Sequence, residues 1–286
     1  MEKAISRNLL PTKQSVIGAA KAGLFILVTS MLAGCAHVGQ RVERGILPEG
    51  TPDAAVILQS LAENDAAIRN FKATGAFRLE APDLGSIKRF RFGTIAFRQP
   101  GDLSVVGRHD VTQATIFRLT SVGSEFLIEF PSSPDKPYYQ LKGERIKGVP
   151  FSVSPSDVAK EMVLSEVWSE LKPDEVRIVH YDPAVQTVVM EIGPRRSPRR
   201  RLTVQGPPWD VIKNERLDKH GDVIAETTRQ NYEFVDGIRF PMEISAFFPT
   251  KNSRMTFSMR KVQINTELEP DLFDIKSRAL EAGVHF

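Results

Sequence analysis

The chain carries one thiol, Cys35, and five imidazoles: His37, His109, His180, His220 and His285. Nucleophilic, redox and metal chemistry is most often built from these side-chain types. The histidines are scattered, and none stands at a recognisable metal-ligand spacing from an acid. His-Glu-x-x-His, Gly-x-Ser-x-Gly and a phosphate-cradling glycine loop are all missing from the sequence. Two local clusters, His109-Asp110 and Asp218-Lys219-His220-Gly221-Asp222, could interest a metal but read better as surface turns. No catalytic constellation emerges, so neither an enzyme nor a cofactor or metal is expected. A hydrolase using one of the histidines is the remote alternative.

Cys35 has another chemistry in prospect. It closes the apolar run of residues 22–35, which follows a basic head of Lys3, Arg7, Lys13 and Lys21. That is the layout of a secretory signal peptide. Leu32-Ala33-Gly34-Cys35 resembles the bacterial lipobox, where a diacylglycerol is attached to the cysteine sulfur and the peptide is cut just before it. Small residues such as Ala33 and Gly34 suit that cut, because a peptidase must draw extended backbone into a narrow cleft. About thirteen apolar or small residues fall short of the roughly 20 that span a bilayer, which disfavours a transmembrane anchor with an incidental cysteine. Lipidation would leave no thiol for disulfide, metal or redox chemistry. Two or three acyl chains hold firmly where one does not, at about 0.8 kcal/mol per buried methylene. Ala36, rather than Asp, follows the cysteine, and by the Gram-negative sorting convention this favours the outer membrane, facing the periplasm.

Setting aside residues 1–34 changes the charge reading. The formal +3 of the whole chain becomes 34 basic against 34 acidic side chains, so no nucleic-acid partner is indicated. The expected organisation is a signal peptide over 1–34, a lipidated tether over 35–52, one domain over 53–275 and a tail over 276–286. The domain is long enough for a substantial core.

Thr51-Pro52-Asp53 predicts a helix start with a hydroxyl N-cap and proline at the first position. Leu58, Leu61, Ile68 and Phe71 then predict an amphipathic helix over 53–70. Strand patterns follow at 71–81, 90–98, 103–107, 114–120, 125–130 and 137–142. Ser154-Pro155-Ser156-Asp157 predicts a second helix, with Val158, Met162, Trp168 and Leu171 on its buried face and Lys172-Pro173 ending it. Strands resume at 175–180, 185–192, 200–205, 210–217, 222–234, 238–248 and 254–264. Asp236-Gly237 is a strong tight-hairpin signal and His220-Gly221-Asp222 a second. Meandering strands with few helices predict an α+β domain, with helices on one face of a long curved antiparallel sheet.

Several segments, taken in order, resemble the Lol family of bacterial lipoprotein carriers and receptors (LolA/LolB-like). They are Phe71-Lys-Ala-Thr-Gly-Ala-Phe after the first helix, Gly93-Thr-Ile-Ala-Phe-Arg-Gln-Pro-Gly-Asp-Leu, and Gly148-Val-Pro-Phe-Ser-Val-Ser-Pro-Ser-Asp-Val at the second helix. Tyr232-Glu-Phe-Val-Asp-Gly-Ile-Arg-Phe-Pro-Met-Glu-Ile resembles the late hairpin, and Val262-Gln-Ile-Asn-Thr-Glu-Leu-Glu-Pro-Asp-Leu-Phe the closing strand. The resemblance implies an incomplete β-barrel whose concave face is covered by helices and holds acyl chains. The sequence departs from the family in two places. The carriers' arginine directly before the proline of the second strand, which bonds the helical lid, is here Gln99, with Arg98 one step earlier on the opposite strand face. The receptors' exposed hydrophobic loop corresponds to Gly107-Arg-His-Asp-Val-Thr-Gln, polar apart from Val111. Both departures point to a divergent paralogue that binds lipid or lipopeptide rather than to a lipoprotein-inserting receptor.

The inward-pattern apolar residues are then the candidate ligand lining: Phe90, Phe92, Phe97, Leu103 and Phe117 in the first half. Phe240, Met242, Ile244, Met255, Phe257 and Met259 continue it in the second half. Taken singly, each reads as ordinary core at least as well. Leu103 falls where carriers place an aromatic at the cavity mouth. Arg195, Arg196, Arg199, Arg200 and Arg201 could meet anionic headgroups, but a solvated hairpin loop explains them better. The expected function is a membrane-anchored binding protein for acyl chains or lipidated polypeptide, assisting outer-membrane lipoprotein localisation. The alternative is an envelope sensor or scaffold that uses the same fold to hold a protein partner.

Overall fold

The computed structural model describes residues 46–82, 85, 87–131, 138–140, 155–162 and 171–281. All belong to one unit, Arg41–Phe286. The signal peptide, Cys35, most of the tether, the segment 148–154, Trp168 and residues 282–286 lie outside the described residues.

The first helix is α1 (Ala54–Ala66), followed by β1 (Asn70–Glu80), β2 (Lys88–Arg98), β3 (Asp102–Arg108), β4 (Thr115–Val122), β5 (Glu125–Glu129) and β6 (Tyr138–Gln140). Helix α2 (Pro155–Met162) leads to β7 (Val176–Asp182), β8 (Thr187–Ile192), β9 (Arg200–Gln205) and β10 (Asp210–Leu217). Then come β11 (Val223–Val235), β12 (Ile238–Phe248), β13 (Ser253–Ile264) and α3 (Ile275–Glu281). Every predicted strand is present. The hairpin at Asp236-Gly237 has φ of 50° and 81° at its two central residues, the left-handed pair that a two-residue turn between twisted strands requires.

Two predicted boundaries move. Asp53, not Thr51, caps α1, its carboxylate accepting from the Ala55 N–H at 2.8 Å, while the Thr51 hydroxyl donates to the Pro48 carbonyl. The helix ends at Ala66, and Phe71 belongs to β1, because strand pairing with β2 and β13 claims the backbone from Asn70 onward. At the other end, residues expected as a tail form α3, whose Ile275 and Ala279 are buried against Leu127 of β5.

The strands form one antiparallel sheet in the order β6-β5-β4-β3-β2-β1-β13-β12-β11-β10-β9-β8-β7. It consists of two meanders joined by β1 pairing with β13. Residues directly opposite in an antiparallel ladder share a face, so one row can be followed across it: Met190, Leu202, Asn214, Thr227, Ala246, Met255, Leu79. This row lies on the inner face. Phe71, Phe97, Phe240, Ile244 and Phe257 bury the same side, each 3% exposed or less. Helix α1 covers it at β8, β9 and β10 through Ile57, Leu58 and Leu61.

Helix α2 reaches β4, β11 and β12 together. Strands lie about 4.8 Å apart, so β4 and β12 of a flat sheet would stand about 24 Å apart, twice the roughly 12 Å length of an eight-residue helix. The sheet therefore curls around α2. By contrast α3 packs on the other face, beside the row Ser104, Thr120 and Leu127. There Arg278 donates to the Thr120 hydroxyl at 2.8 Å and pairs with Glu129. Not all the helical cover is concave.

Glycine permits the tightest part of the core. A Cβ on Gly93 would sit 2.0 Å from Cε2 of Phe77, and one on Gly107 would sit 2.2 Å from the Phe117 ring. Gly93→Ala is expected to lower stability by about 1–3 kcal/mol through overpacking. The urea midpoint should fall with the slope unchanged.

Candidate functional site: a covered apolar face

Ten of the eleven predicted lining residues gather on the inner face. Phe97, Leu103, Phe240, Ile244, Met255, Phe257 and Met259 are buried in one cluster, and Phe90, Phe117 and Met242 are half-buried against it. Phe92 is elsewhere. Gly75 and Phe77 of β1 oppose Gly93 and Phe90 of β2, so Arg91 and Phe92 together face Ala76 in a bulge. The extra residue reverses the side-chain alternation, leaving Phe92 39% exposed with the Arg260 guanidinium 5.6 Å from its ring. Leu103, expected at a cavity mouth, is fully buried instead.

Aromatic rings fill much of the hollow. Phe77 and Phe257 stand 4.2 Å apart by centroid, and Phe71 meets Phe240 edge-on at 5.0 Å. Between α1, α2 and strands β1, β2 and β10 to β12 there remains a cavity of about 60 Å³. Small-molecule sites occupy about 300 Å³ or more, so this space among the described residues is too small to hold a long tail.

The cover is held by charge as well as by grease. Val158 and Met162 of α2 are buried in the main cluster, and between them Glu161 is 1% exposed. Its carboxylate accepts from the Thr227 hydroxyl at 2.8 Å and the Asn214 amide at 3.3 Å, with Arg216 Nε at 3.7 Å. Arg229 Nη2 donates to the backbone carbonyl of Glu161 at 3.0 Å, and Arg216 Nη2 donates to Asp157 at 3.4 Å. Thus the polar residues in the middle of the inner row, Asn214 and Thr227, receive the one carboxylate that α2 buries there. Asp157 and Glu161 are four apart and face the sheet together. Burial pushes the Arg229 guanidinium pKa down, against the opposing pull of Tyr232, Glu161 and Asp65.

Sequence reasoning passed over Glu161, Asn214, Thr227 and Arg229. The available signal was the alternation in β11, where Ala225, Thr227 and Arg229 are all buried. An arginine in phase with core residues asks for a buried partner. At the place where the family's carriers have a lid-bonding arginine, the Gln99 amide donates to the Ile68 carbonyl at 2.8 Å, just beyond the end of α1. Arg98 lies on the outer face, paired with Asp102 at 2.6 Å.

The other candidates resolve into structure. Arg199 donates to Glu175 at 2.8 Å, Arg200 to Asn214 at 3.0 Å, and Arg201 pairs with Glu191 and Glu215. Arg200 and Arg201, at the start of β9, are half-buried and paired within the protein, whereas Arg195, Arg196 and Arg199 remain exposed on the loop. His109 Nδ1 accepts from the Val111 and Thr112 N–H groups. Asp218 accepts from the His220 and Asp222 N–H groups, and the Asp222 bond is the main reason its pKa is lowered. Both clusters are turns, and no metal-holding group of acids, histidines and cysteines occurs among the described residues. Val111 stands 84% exposed in the loop between β3 and β4.

This arrangement defines a class, the LolA-like open half-barrel. No protein-family model and no curated protein sequence matches the chain. Among solved structures it is similar to a DUF1329 family protein from Desulfovibrio piger, with TM-score 0.54, 12% identity and coverage of 78% of this chain and 98% of that one. A LolA superfamily protein from Nitrosomonas europaea matches with TM-score 0.50 and 14% identity, covering 78% and 97%. An outer membrane lipoprotein-sorting protein domain from Vibrio parahaemolyticus matches with TM-score 0.50 and 13% identity, covering 80% and 100%. At such identities the likeness is one of fold.

Removing one partner from a buried charge cluster costs about 3–5 kcal/mol. Glu161→Ala is expected to destabilise the protein on that scale, measured by urea unfolding, and to speed proteolytic cleavage within α2 ahead of global unfolding.

Proposed function

We propose that this chain is a lipid-anchored envelope protein that takes up acyl chains, free or on polypeptide, against the inner face of its half-barrel. The anchor is the lipidated sulfur of Cys35, and the membrane is the outer membrane on its periplasmic side. Assistance in lipoprotein localisation fits the fold of its solved neighbours, and no enzymatic step is part of this reading.

The observation that supports it is the nature of the cover. Beneath α2 lies a broad apolar face that includes Phe71, Ile95, Ile244 and Phe257, each 2% exposed or less. Only Val158 and Met162 are buried apolar contributions from the described part of α2. An incoming tail can replace them with little net change in exposed apolar area, at about 0.8 kcal/mol for each methylene buried. What must be released is the Glu161 cluster, whose groups water can solvate once α2 lifts. Loading is then an exchange of one apolar cover for another, gated by a polar latch.

A second reading, a sensor or scaffold for a protein partner, is favoured by the opposite face. There Arg78, Arg89, Arg91, Gln230, Glu243 and Arg254 border a broad hollow of about 840 Å³. Its room and mixed charge suit an extended polar segment of another protein.

Chain purified from envelopes without added lipid is expected to carry acyl species in native mass spectrometry. A domain that is empty and has no affinity for fluorescent fatty acids, yet crosslinks stoichiometrically to one protein, would establish the second reading instead. For the anchor, Cys35→Ser is expected to abolish incorporation of an alkyne-labelled fatty acid in growing cells. Persistent labelling would remove Cys35 from the account.

A further inference from the structure

The small cavity beside α2 has one wall that the core does not need. Phe71, Phe97, Phe240 and Ile244 make it apolar on one side, and Arg229, Tyr232, Asn64 and Asp65 make it polar on the other. Most of those polar groups are satisfied. The Tyr232 hydroxyl donates to the Val211 carbonyl at 2.8 Å, and burial raises its pKa so that it stays neutral. The Asn64 side chain exchanges two bonds with the Arg239 backbone, at 2.9 and 3.0 Å. Arg239 itself is held by Asp210.

Arg229 is the exception. It is 3% exposed, its Nη2 is spent on the Glu161 carbonyl, and its Nη1 has no hydrogen-bond partner. A buried guanidinium nitrogen left unpaired costs at least the roughly 1–3 kcal/mol of an unsatisfied polar group. It persists most readily where an anion or water completes it. Water would need only the polar wall. The adjoining aromatic wall, continuous with the inner face, adds a preference for something with a hydrocarbon part.

We propose that this cavity seats the carboxylate of a free, single-chain fatty acid, with Arg229 Nη1 donating to a carboxylate oxygen. The first methylenes lie on Phe71, Phe97 and Phe240, and the rest of the tail follows the inner face once α2 lifts. Nη1 is enclosed while α2 lies on the sheet, so the carboxylate reaches it only once α2 lifts and Nη2 leaves the Glu161 carbonyl. The assignment rests on the acyl-binding reading above and sharpens it. A carboxylate can use the charge of Arg229, whereas the ester- and amide-linked chains of a lipoprotein cannot. The seat therefore favours free fatty acid over lipoprotein as the ligand.

The test compares ligands with one tail and different heads. Palmitate and hexadecanol compete with a bound fluorescent fatty acid on the full chain in nanodiscs, with empty nanodiscs as the baseline. Palmitate is expected to bind at least tenfold more tightly, and Arg229→Met should reduce that preference to within twofold. Equal binding of both by the unaltered chain would overturn the headgroup seat while leaving acyl binding intact, with Arg229 completed by water alone. Binding of neither would overturn the acyl reading and the seat together. A preference that survives Arg229→Met would place the carboxylate elsewhere and also overturn the seat. Should that variant fail to fold, palmitate labelled with carbon-13 at the carboxyl gives a second readout on the unaltered chain. Its carboxyl pKa should fall on binding relative to empty nanodiscs, and an unchanged or raised pKa would count against Arg229.

Discussion

One ladder, β1 against β13, holds two independent meanders together as a single sheet. Strands within each meander are joined through neighbouring stretches of chain, and their pairings are local. The ladder instead brings Phe71 opposite Ile264 and Phe77 opposite Phe257, across most of the domain. Closing so long a loop costs entropy that local hairpins avoid. The compensation is visible in the core, where Phe71, Phe77 and Phe257 are each 2% exposed or less. The loop side chain of Asn265 adds to it, accepting from Arg69 N–H and donating to the Ala67 carbonyl. Without this ladder neither half would have an inner face to share.

The same topology explains why a helix crosses the hollow. Strands β6 and β7 are the two outer edges of the sheet but follow one another in the chain. Between them in sequence lies α2, which packs on β4, β11 and β12. A purely apolar crossing would bury more grease but would also fix the cover in place. Glu161, held by Thr227, Asn214 and Arg216, specifies where α2 sits at less net gain, since desolvating a carboxylate offsets much of what its partners return. Among the described residues of α2, Val158 and Met162 supply the apolar contact and Glu161 the polar one.

Fold alone does not assign work to a protein, and the likeness to solved structures at 12–14% identity leaves that assignment to the residues. Here the residues depart from a generic hydrophobic carrier. The described interior is packed with phenylalanine, and Arg229, whose Nη1 has no hydrogen-bond partner, is one of the residues that line the remaining space. Of the five arginines that invite a membrane interpretation, Arg200 and Arg201 are half-buried and held by Asn214, Glu191 and Glu215, and three stay exposed. Exposed charge in a sequence and available charge in a structure are different quantities.

Strand positions, the Asp236-Gly237 turn and the apolar content of the inner face were legible in the sequence, because period-two alternation and turn chemistry act over a few residues. The order of strands and helices already implied a curved sheet with helices on one face, and the resemblance to the Lol family added the incomplete barrel and its concave, helix-covered side. Phe92 was misplaced because a bulge shifts the alternation, and whether a bulge forms depends on the partner strand. Glu161 and Arg229 were invisible as a pair because they are 68 residues apart and meet only when α2 lies on β11. Local order comes from backbone sterics and hydrophobic period, which the chain carries in each segment. Which polar groups share the interior depends on register and on the path between β6 and β7, and these exist only once the sheet has closed around the helix.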